Sequence, residues 1–402
     1  MSATFTYARR TIKPKLFVGE RPILTTLNDS LFPSHQVLNG TDLSAQTIAE
    51  PPPLILKVPY SPDVDTSIMS FGIATHIPRL NQSIPQLSHW LSNTGCPLHV
   101  VAPHHDSTNY TTSLIQSHPI NINLNVTTSE LPFAKAYFSL VKRLYESRTP
   151  DTQWLVLIDD DTFIPSLPYL VSHLTATYDA TKPQIIAAMS DDLDQIKSFG
   201  LIPFGGGGIF ISVPLAAILT SPEVYDKCIA NPNYQGDQVL NECLNKHTDV
   251  RPIFDHGLNQ MDLFGEPDGY FESGRRMLTV HHWKSWFYVD VPMGGKVAQA
   301  TGDEGVFMRW KFQDVVLSNG FSIAEYPGGL AEIDFEKVEK TWPGQDSRFL
   351  HHIGPLRAKL PGEMKKSFRL VEAVVMAEGV RQVYLHEAQD GVNGVLELLW
   401  LS

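Results

Sequence analysis

Four consecutive apolar residues, Leu155 to Ile158, stand directly before three aspartates, Asp159, Asp160 and Asp161. A short apolar run without alternation is the pattern of a strand buried on both faces, as in the interior of parallel sheets. Around it the pattern switches repeatedly between strand and helix. Ser67 to Ala74 is a core strand ending at Thr75-His76, and Leu80, Ile84, Leu87 and Leu91 then fall at helical spacing. Leu98 to Ala102 is a second strand, with Pro103 to Asp106 as its loop. Phe133, Tyr137, Leu140, Val141 and Leu144 mark one face of a helix that feeds the run before the aspartates. Leu167 to Tyr178 reads as a helix and Gln184 to Met189 as a strand. Such alternation predicts an α/β fold: a mostly parallel central sheet flanked by helices.

The flanks read differently. Residues 1–63 are polar and Pro-rich with no sustained period, which predicts an irregular stem. The main α/β domain spans 64–290, and 291–402 is strand-like and turn-rich, a smaller β-rich appendage packed on it. Within the central part, Gly205 to Gly208 precede the apolar Ile209-Phe210-Ile211, and Met277 to Val280 lead into His281, His282 and Trp283. The glycines are either a flexible turn or a place of close backbone approach to a sugar or diphosphate.

A net charge of −12 over 402 residues argues against nucleic acid as the main partner. No run of eighteen apolar residues spans a membrane, and Met1 to Glu20 lacks the apolar centre of a signal peptide. Cys96, Cys228 and Cys243 match no zinc spacing. Five sequons begin at Asn28, Asn39, Asn81, Asn109 and Asn125, which has meaning only in a secretory compartment.

Three adjacent carboxylates cannot be buried unpaired, so the aspartates belong at the carboxyl end of their strand, where open α/β sheets place ligands. Alternation sends Asp159 and Asp161 to one side and Asp160 to the other. Hard oxygen ligands suit Mg²⁺ or Mn²⁺ bridging to a phosphate. The plainer reading is a polar loop that caps the next segment. Asp237 opens a helix and is equally readable as its N-cap, and a histidine at a strand end is a packing residue or, near acids, a metal ligand.

Taken together, Thr75…Arg79, Trp154 to Thr162, Gly205 to Ser212, Gly236-Asp237-Gln238 and Thr279 to Trp283 resemble the Fringe-like glycosyltransferases and their fungal relatives among the β-1,3-glycosyltransferases. The resemblance covers about Asp65 to Trp283. It implies a GT-A fold and an inverting hexosyltransferase that moves a sugar from a nucleotide sugar, expected to be a UDP-sugar, to a hydroxyl of a glycan or glycoprotein. It also implies a Golgi or secretory-lumen setting, although no anchor is seen. Asp161 and His281, with Asp159, correspond to the Mn²⁺ (or Mg²⁺) ligands, and Asp237 to the general base. Thr75, Arg79, Asp159, Asp160, Gly206, Gly207 and Gly208 correspond to donor-binding positions. Trp283 or Trp286 reads either as a stacking surface for the acceptor or, as buried indoles more often are, as plain core. The run reads Gly-Gly-Gly-Gly where relatives usually have Gly-Gly-Ala-Gly, and the His281-His282 pair leaves the metal ligand open by one residue. A metal-dependent phosphohydrolase and a non-catalytic carbohydrate-binding homologue are the competing readings. Cys228 and Cys243 bracket the loop and first turns around Asp237, which predicts a disulfide that steadies it, with Cys96 free.

Overall fold

The structure is a computed structural model that describes residues 4–39, 51–104, 121–232, 235–388 and 392–402. The acidic loop sits on a sheet of seven strands: β1 (Met69–Ala74), β2 (Pro97–Pro103), β3 (Asn123–Ser129), β4 (Trp154–Ile158), β5 (Ile185–Ala188), β6 (Phe204–Ser212) and β7 (Ile253–Phe254). Their order is β7-β5-β6-β4-β1-β2-β3. All neighbours pair in parallel except β6, which is antiparallel to both β4 and β5. The fold is therefore α/β with a mixed sheet, mostly but not wholly parallel.

Among the described residues, seven helices accompany this sheet: α1 (Ile77–Leu91), α2 (Phe133–Ser147), α3 (Leu167–Thr177), α4 (Leu193–Phe199), α5 (Val213–Leu219), α6 (Pro222–Ile229) and α7 (Gly236–His247). The central strands are apolar throughout because both faces are covered. In β4, Trp154, Val156 and Ile158 enter a core shared with α1 and α3, while Leu155 and Leu157 enter a second core with α2, α5, α6 and α7. Each buried aliphatic side chain contributes about 1.5–3 kcal/mol. That anchors the strand and the loop behind it. The polar β3, half-exposed at the sheet edge, carries too little apolar pattern to stand out in the sequence.

The irregular-stem expectation for residues 1–63 does not hold. Thr4–Phe17 is a 14-residue strand in a second, ten-stranded sheet. It pairs in parallel with Asn393–Leu401, from Phe5 opposite Asn393 to Ile12 opposite Trp400, and then with Leu54–Pro59. Its buried positions include Arg10 and Thr11 beside Ala8 and Ile12, so polar residues mask the apolar period. The β-rich part is thus built from both flanks of the sequence, with more strands than the central sheet. The core of α1 and α3 runs on into it through Leu56, Val58, Trp310 and Trp400.

Two local readings also change. The glycine run lies inside buried β6 rather than in a turn, at a register shift against β5 between Phe204 and Ile209. Met277 to Trp283 forms no strand; its one ladder contact is the bridge between Val280 and Phe163. Asn28, Asn81 and Asn125 are exposed. Gly40, Thr41, His105, Asp106, the sequon at 109–111 and Tyr234 lie outside the described residues.

Candidate active site

β4 ends at Ile158, yet its alternation carries on through the aspartates. Asp160 turns toward α1, where its carboxylate accepts from the Thr75 hydroxyl and from Arg79 Nε (2.7 Å) and Nη2 (2.6 Å). Its carbonyl accepts from Gln86 and from Lys284 Nζ at 3.3 Å. Three predicted donor-binding residues, Thr75, Arg79 and Asp160, thus form one cluster. Bidentate Arg–carboxylate geometry is among the stronger pairings, and it lets Asp160 lie 4 % exposed.

Asp159 and Asp161 turn the other way and meet His281. Its Nε2 lies 3.0 Å from Asp161 Oδ1 and 3.5 Å from Asp159 Oδ2. The close backbone approach that the glycine run permits is taken up by the protein itself. A Cβ on Gly206 would overlap the His281 ring, one on Gly207 would fall 2.3 Å from the Ala188 Cβ, and Gly208 has φ +100°. Hydrogen bonds lock the three segments together. Thr162 Oγ1 donates to the Gly206 carbonyl at 2.7 Å, and Thr279 Oγ1 to that of Gly207 at 2.7 Å. Phe163 and Val280 exchange two backbone bonds of 2.8 Å.

His282 has φ +55°, a left-handed conformation unusual for such a residue. In an extended chain neighbouring side chains oppose each other; here both imidazoles share one side, their centroids 3.9 Å apart. Asp161, His281 and His282 each offer a ligand atom, all within 4.8 Å of one another. His282 Nε2 also faces Asp262 Oδ1 at 3.2 Å, and its Nδ1 faces Ser285 Oγ at 3.0 Å.

The electrostatics follow from this crowding. Burial and the like charges of Asp161, Asp237 and Asp160 push Asp159 up to about 7, against the pull of His281. With 37 % of that side chain open, water tempers the shift. Burial opposes ionisation of Asp161 too, but His281, His282 and Lys284 hold it well below the usual carboxylate range. Burial disfavours the imidazolium of His281, yet Asp161 and Asp159 raise it to about 9.

Asp237 lies in the first turn of α7, two residues past the N-cap position, which Gln235 occupies. Asp237 is therefore not the N-cap residue itself, but its carboxylate still accepts from backbone N–H groups at the start of the helix. Burial raises the Asp237 carboxyl, while backbone N–H groups, including those of Gly205 and Gln238, and the charge of His281 pull it down. Cys228 of α6 and Cys243 of α7 are joined by a disulfide with Cα atoms 5.4 Å apart, and Cys96 is buried and free.

Trp283 is 6 % exposed and belongs to the core, so it offers no stacking surface to an acceptor. Trp286 is sandwiched between Phe264 (4.1 Å, 10°) and His282 (4.4 Å, 13°). The sequence reading missed Asp262 and Lys284. Lys284 had a signal, its place three residues after His281; Asp262 had none, since a left-handed Met261 (φ +60°) brings it in from a loop.

A family model described as "Protein of unknown function, DUF604" matches residues 194–288, a stretch holding the glycine run, Asp237 and His281 but not the acidic loop. No curated protein matches the chain significantly. Among solved structures it is similar to mouse xyloside xylosyltransferase 1 in its apo form, with 11% identity and a TM-score of 0.32 over 49% of this chain and 85% of that one. It is also similar to the galactosyltransferase LgtC with donor and acceptor sugar analogs, with 14% identity and a TM-score of 0.34 over 59% and 93% of the two chains. The apo-form glycosyltransferase GlyE of Streptococcus pneumoniae matches with 14% identity and a TM-score of 0.30 over 45% of this chain; the match spans 44% of GlyE. Overlaps this partial assign no residues.

Proposed function

We propose that the chain is an inverting, metal-dependent glycosyltransferase of Fringe-like type. It moves a sugar from a UDP-sugar to a hydroxyl of a glycan or glycoprotein, forming a β-1,3 linkage. The observation that carries this reading is the convergence of Asp161, Asp159 and His281 at the carboxyl end of β4, with the Asp237 carboxylate within electrostatic reach of Asp159.

The donor set fits a hard divalent ion. Ligands about 2.1 Å from an octahedral ion sit about 3 Å apart when adjacent, and Asp161 Oδ1 and His281 Nε2 are 3.0 Å apart. Asp161 and His281, with Asp159, would hold Mn²⁺ or Mg²⁺, and a bound ion supplies neutralisation of charge at the departing diphosphate. Arg79 stays 58 % exposed despite its pairing, so it can also face a phosphate. A pocket of about 390 Å³ beside Thr75 at the ends of β1, β2 and β3, lined by His76, Val101 and Phe133, suits the nucleoside. Asp237 accepts the proton of the attacking hydroxyl. Burial brings its pKa nearer the working pH, as a general base requires. Displacement in one step with a single base inverts the anomeric centre. A secretory-lumen setting, the Golgi among its compartments, accords with the Cys228–Cys243 disulfide and the exposed Asn28, Asn81 and Asn125.

A panel of UDP-sugars with glycan acceptors, scored by UDP release with and without Mn²⁺, tests the proposal. Metal-dependent release that requires an acceptor is expected. Release of inorganic phosphate instead would favour a phosphohydrolase, and no turnover of any donor would overturn the transferase reading.

A further inference from the structure

The second sheet buries a guanidinium with no carboxylate of its own. Arg309 opens the strand Arg309–Lys311 and pairs in antiparallel register with Ser318; Ser318 pairs with Ser322, and Ser322 with Arg369. Directly opposed residues share one face of a sheet, so the four make a polar row across four strands. The segment from Asp268 to Glu272 covers it. Arg369 pairs with the Asp268 carboxylate, the Ser322 hydroxyl donates to Glu272 Oε1 at 2.7 Å, and Arg309 Nη1 donates to the Glu272 carbonyl at 2.8 Å. Arg309 is 4 % exposed, and among the described residues it forms no ion pair. A buried charge without a counter-charge is costly. The neighbouring carboxylates are already engaged. Glu272 Oε2 accepts from Lys365 Nζ, Glu339 Oε1 from the Leu360 N–H at 3.0 Å, and Glu339 Oε2 from Lys365 Nζ at 3.0 Å and Arg357 Nη2 at 2.7 Å. Arg309, Lys365 and the largely buried Arg357 thus share two carboxylates, which leaves one positive charge over. Burial pulls Arg309 down to about 10 against Tyr326, Glu272 and the exposed Glu336, and the like charge of Arg357 adds to the pull.

Among these groups lies a cavity of about 10 Å³, lined by Arg309, Arg357, Ser318, Glu272, Glu339 and the exposed Lys337, which pairs with Asp334. That is room for one atom-sized occupant. Three of the lining residues carry donors without a hydrogen-bond partner among the described residues: Nε and Nη2 of Arg309, Nε and Nη1 of Arg357, and Oγ of Ser318. Buried polar groups are as a rule satisfied, so such a gathering calls for a reason. We propose that the cavity binds one small monovalent anion, of the size and charge of chloride. A single negative charge matches the surplus cation, and the volume excludes a phosphate or an organic acid. The anion ties Arg309 and Ser318 of the second sheet to Arg357 on the strand Leu356–Ala358.

Urea unfolding of the full chain, prepared free of chloride, tests this as sodium chloride replaces sodium gluconate at constant ionic strength. For a dissociation constant of about 10 mM, about 100 mM chloride lowers the unfolding equilibrium constant about tenfold. An unchanged midpoint would mean that water alone fills the cavity, and overturns the site. Arg309→Met removes the surplus charge and should abolish the response. A response that survives in this variant overturns the assignment to this cavity. Ser318→Ala deletes one donor and leaves the charge, so it carries the test if Arg309→Met does not fold. The chloride concentration for half the effect should then rise about tenfold, as for a lost hydrogen bond to a charged group. An unchanged requirement overturns the proposal as well.

Discussion

Gly206 lies so close beneath His281 that a Cβ on it would fall 2.0 Å from the imidazole Cε1. The residue in the strand and the residue in the loop thus specify each other. Gly206→Ala must push the ring away from Asp161, at an overpacking cost of about 1–3 kcal/mol. Mn²⁺ affinity should fall by about ten- to a hundredfold, as when support for a metal ligand is lost. Calorimetric titration checks this, and unchanged affinity would mean that the ring position does not matter.

Asp161→Asn keeps the shape of the side chain and removes its charge. Mn²⁺-dependent binding of UDP should disappear, while the melting temperature moves by only a few degrees. Binding that keeps its Mn²⁺ dependence would remove Asp161 from the ligand set.

Because Asp237 stands inside the first turn of α7, Asp237→Asn forfeits only the favourable charge near the helix N-terminus, about 0.3–1 kcal/mol. Stability and UDP affinity should hardly change. Transfer should fall by about two orders of magnitude or more, since an amide cannot take the proton. Near-normal turnover would leave Asp237 without a catalytic role.

The Cys228–Cys243 bridge closes a span of 15 residues, worth about 3 kcal/mol in the chain-entropy account. Cys243→Ser should lower the melting temperature by several degrees and reduce transfer, because α7 is freed from α6. If thiol reductant leaves both unchanged, the bridge does not hold the base.

Asp255 gives a pH dependence with a definite sign. Burial raises its carboxyl, but His173 Nε2 (2.6 Å), the Gly257 N–H (2.8 Å) and the Tyr178 hydroxyl (2.8 Å) hold it below the ordinary value. A depressed carboxyl stabilises above the unfolded pKa of about 3.9 and loses that contribution as pH falls through the folded value. Stability of the native chain should therefore drop more steeply below about pH 4 than that of Asp255→Asn. Parallel curves from urea unfolding would refute it.

How far the site was legible depended on whether one chain segment carried the information. Leu155 to Asp161 holds its own strand, burial and parity, and Asp160 and Asp161 face where alternation sends them. Helices α1 and α2 announced themselves by spacing for the same reason. Trp283 misled because an indole beside a candidate ligand histidine looks like a platform, whereas the turn at His282 places it in the core. The strand at Thr4–Phe17 was illegible because its partners, Asn393–Leu401 and Leu54–Pro59, are distant in sequence and Arg10 and Thr11 occupy buried positions. Asp262 reaches His282 only through a left-handed residue, a conformation no composition signals.

The parallel pairing of Thr4–Phe17 with Asn393–Leu401 sets the order of events in synthesis. Phe5 cannot meet Asn393 until nearly four hundred residues have been made, whereas β1, β2 and β4 can assemble from one short stretch. Contacts of such long separation form slowly, and an unpaired strand is open to wrong partners while it waits. The second sheet should therefore be the last part to close and the first to suffer when translation stalls or folding assistance is withdrawn.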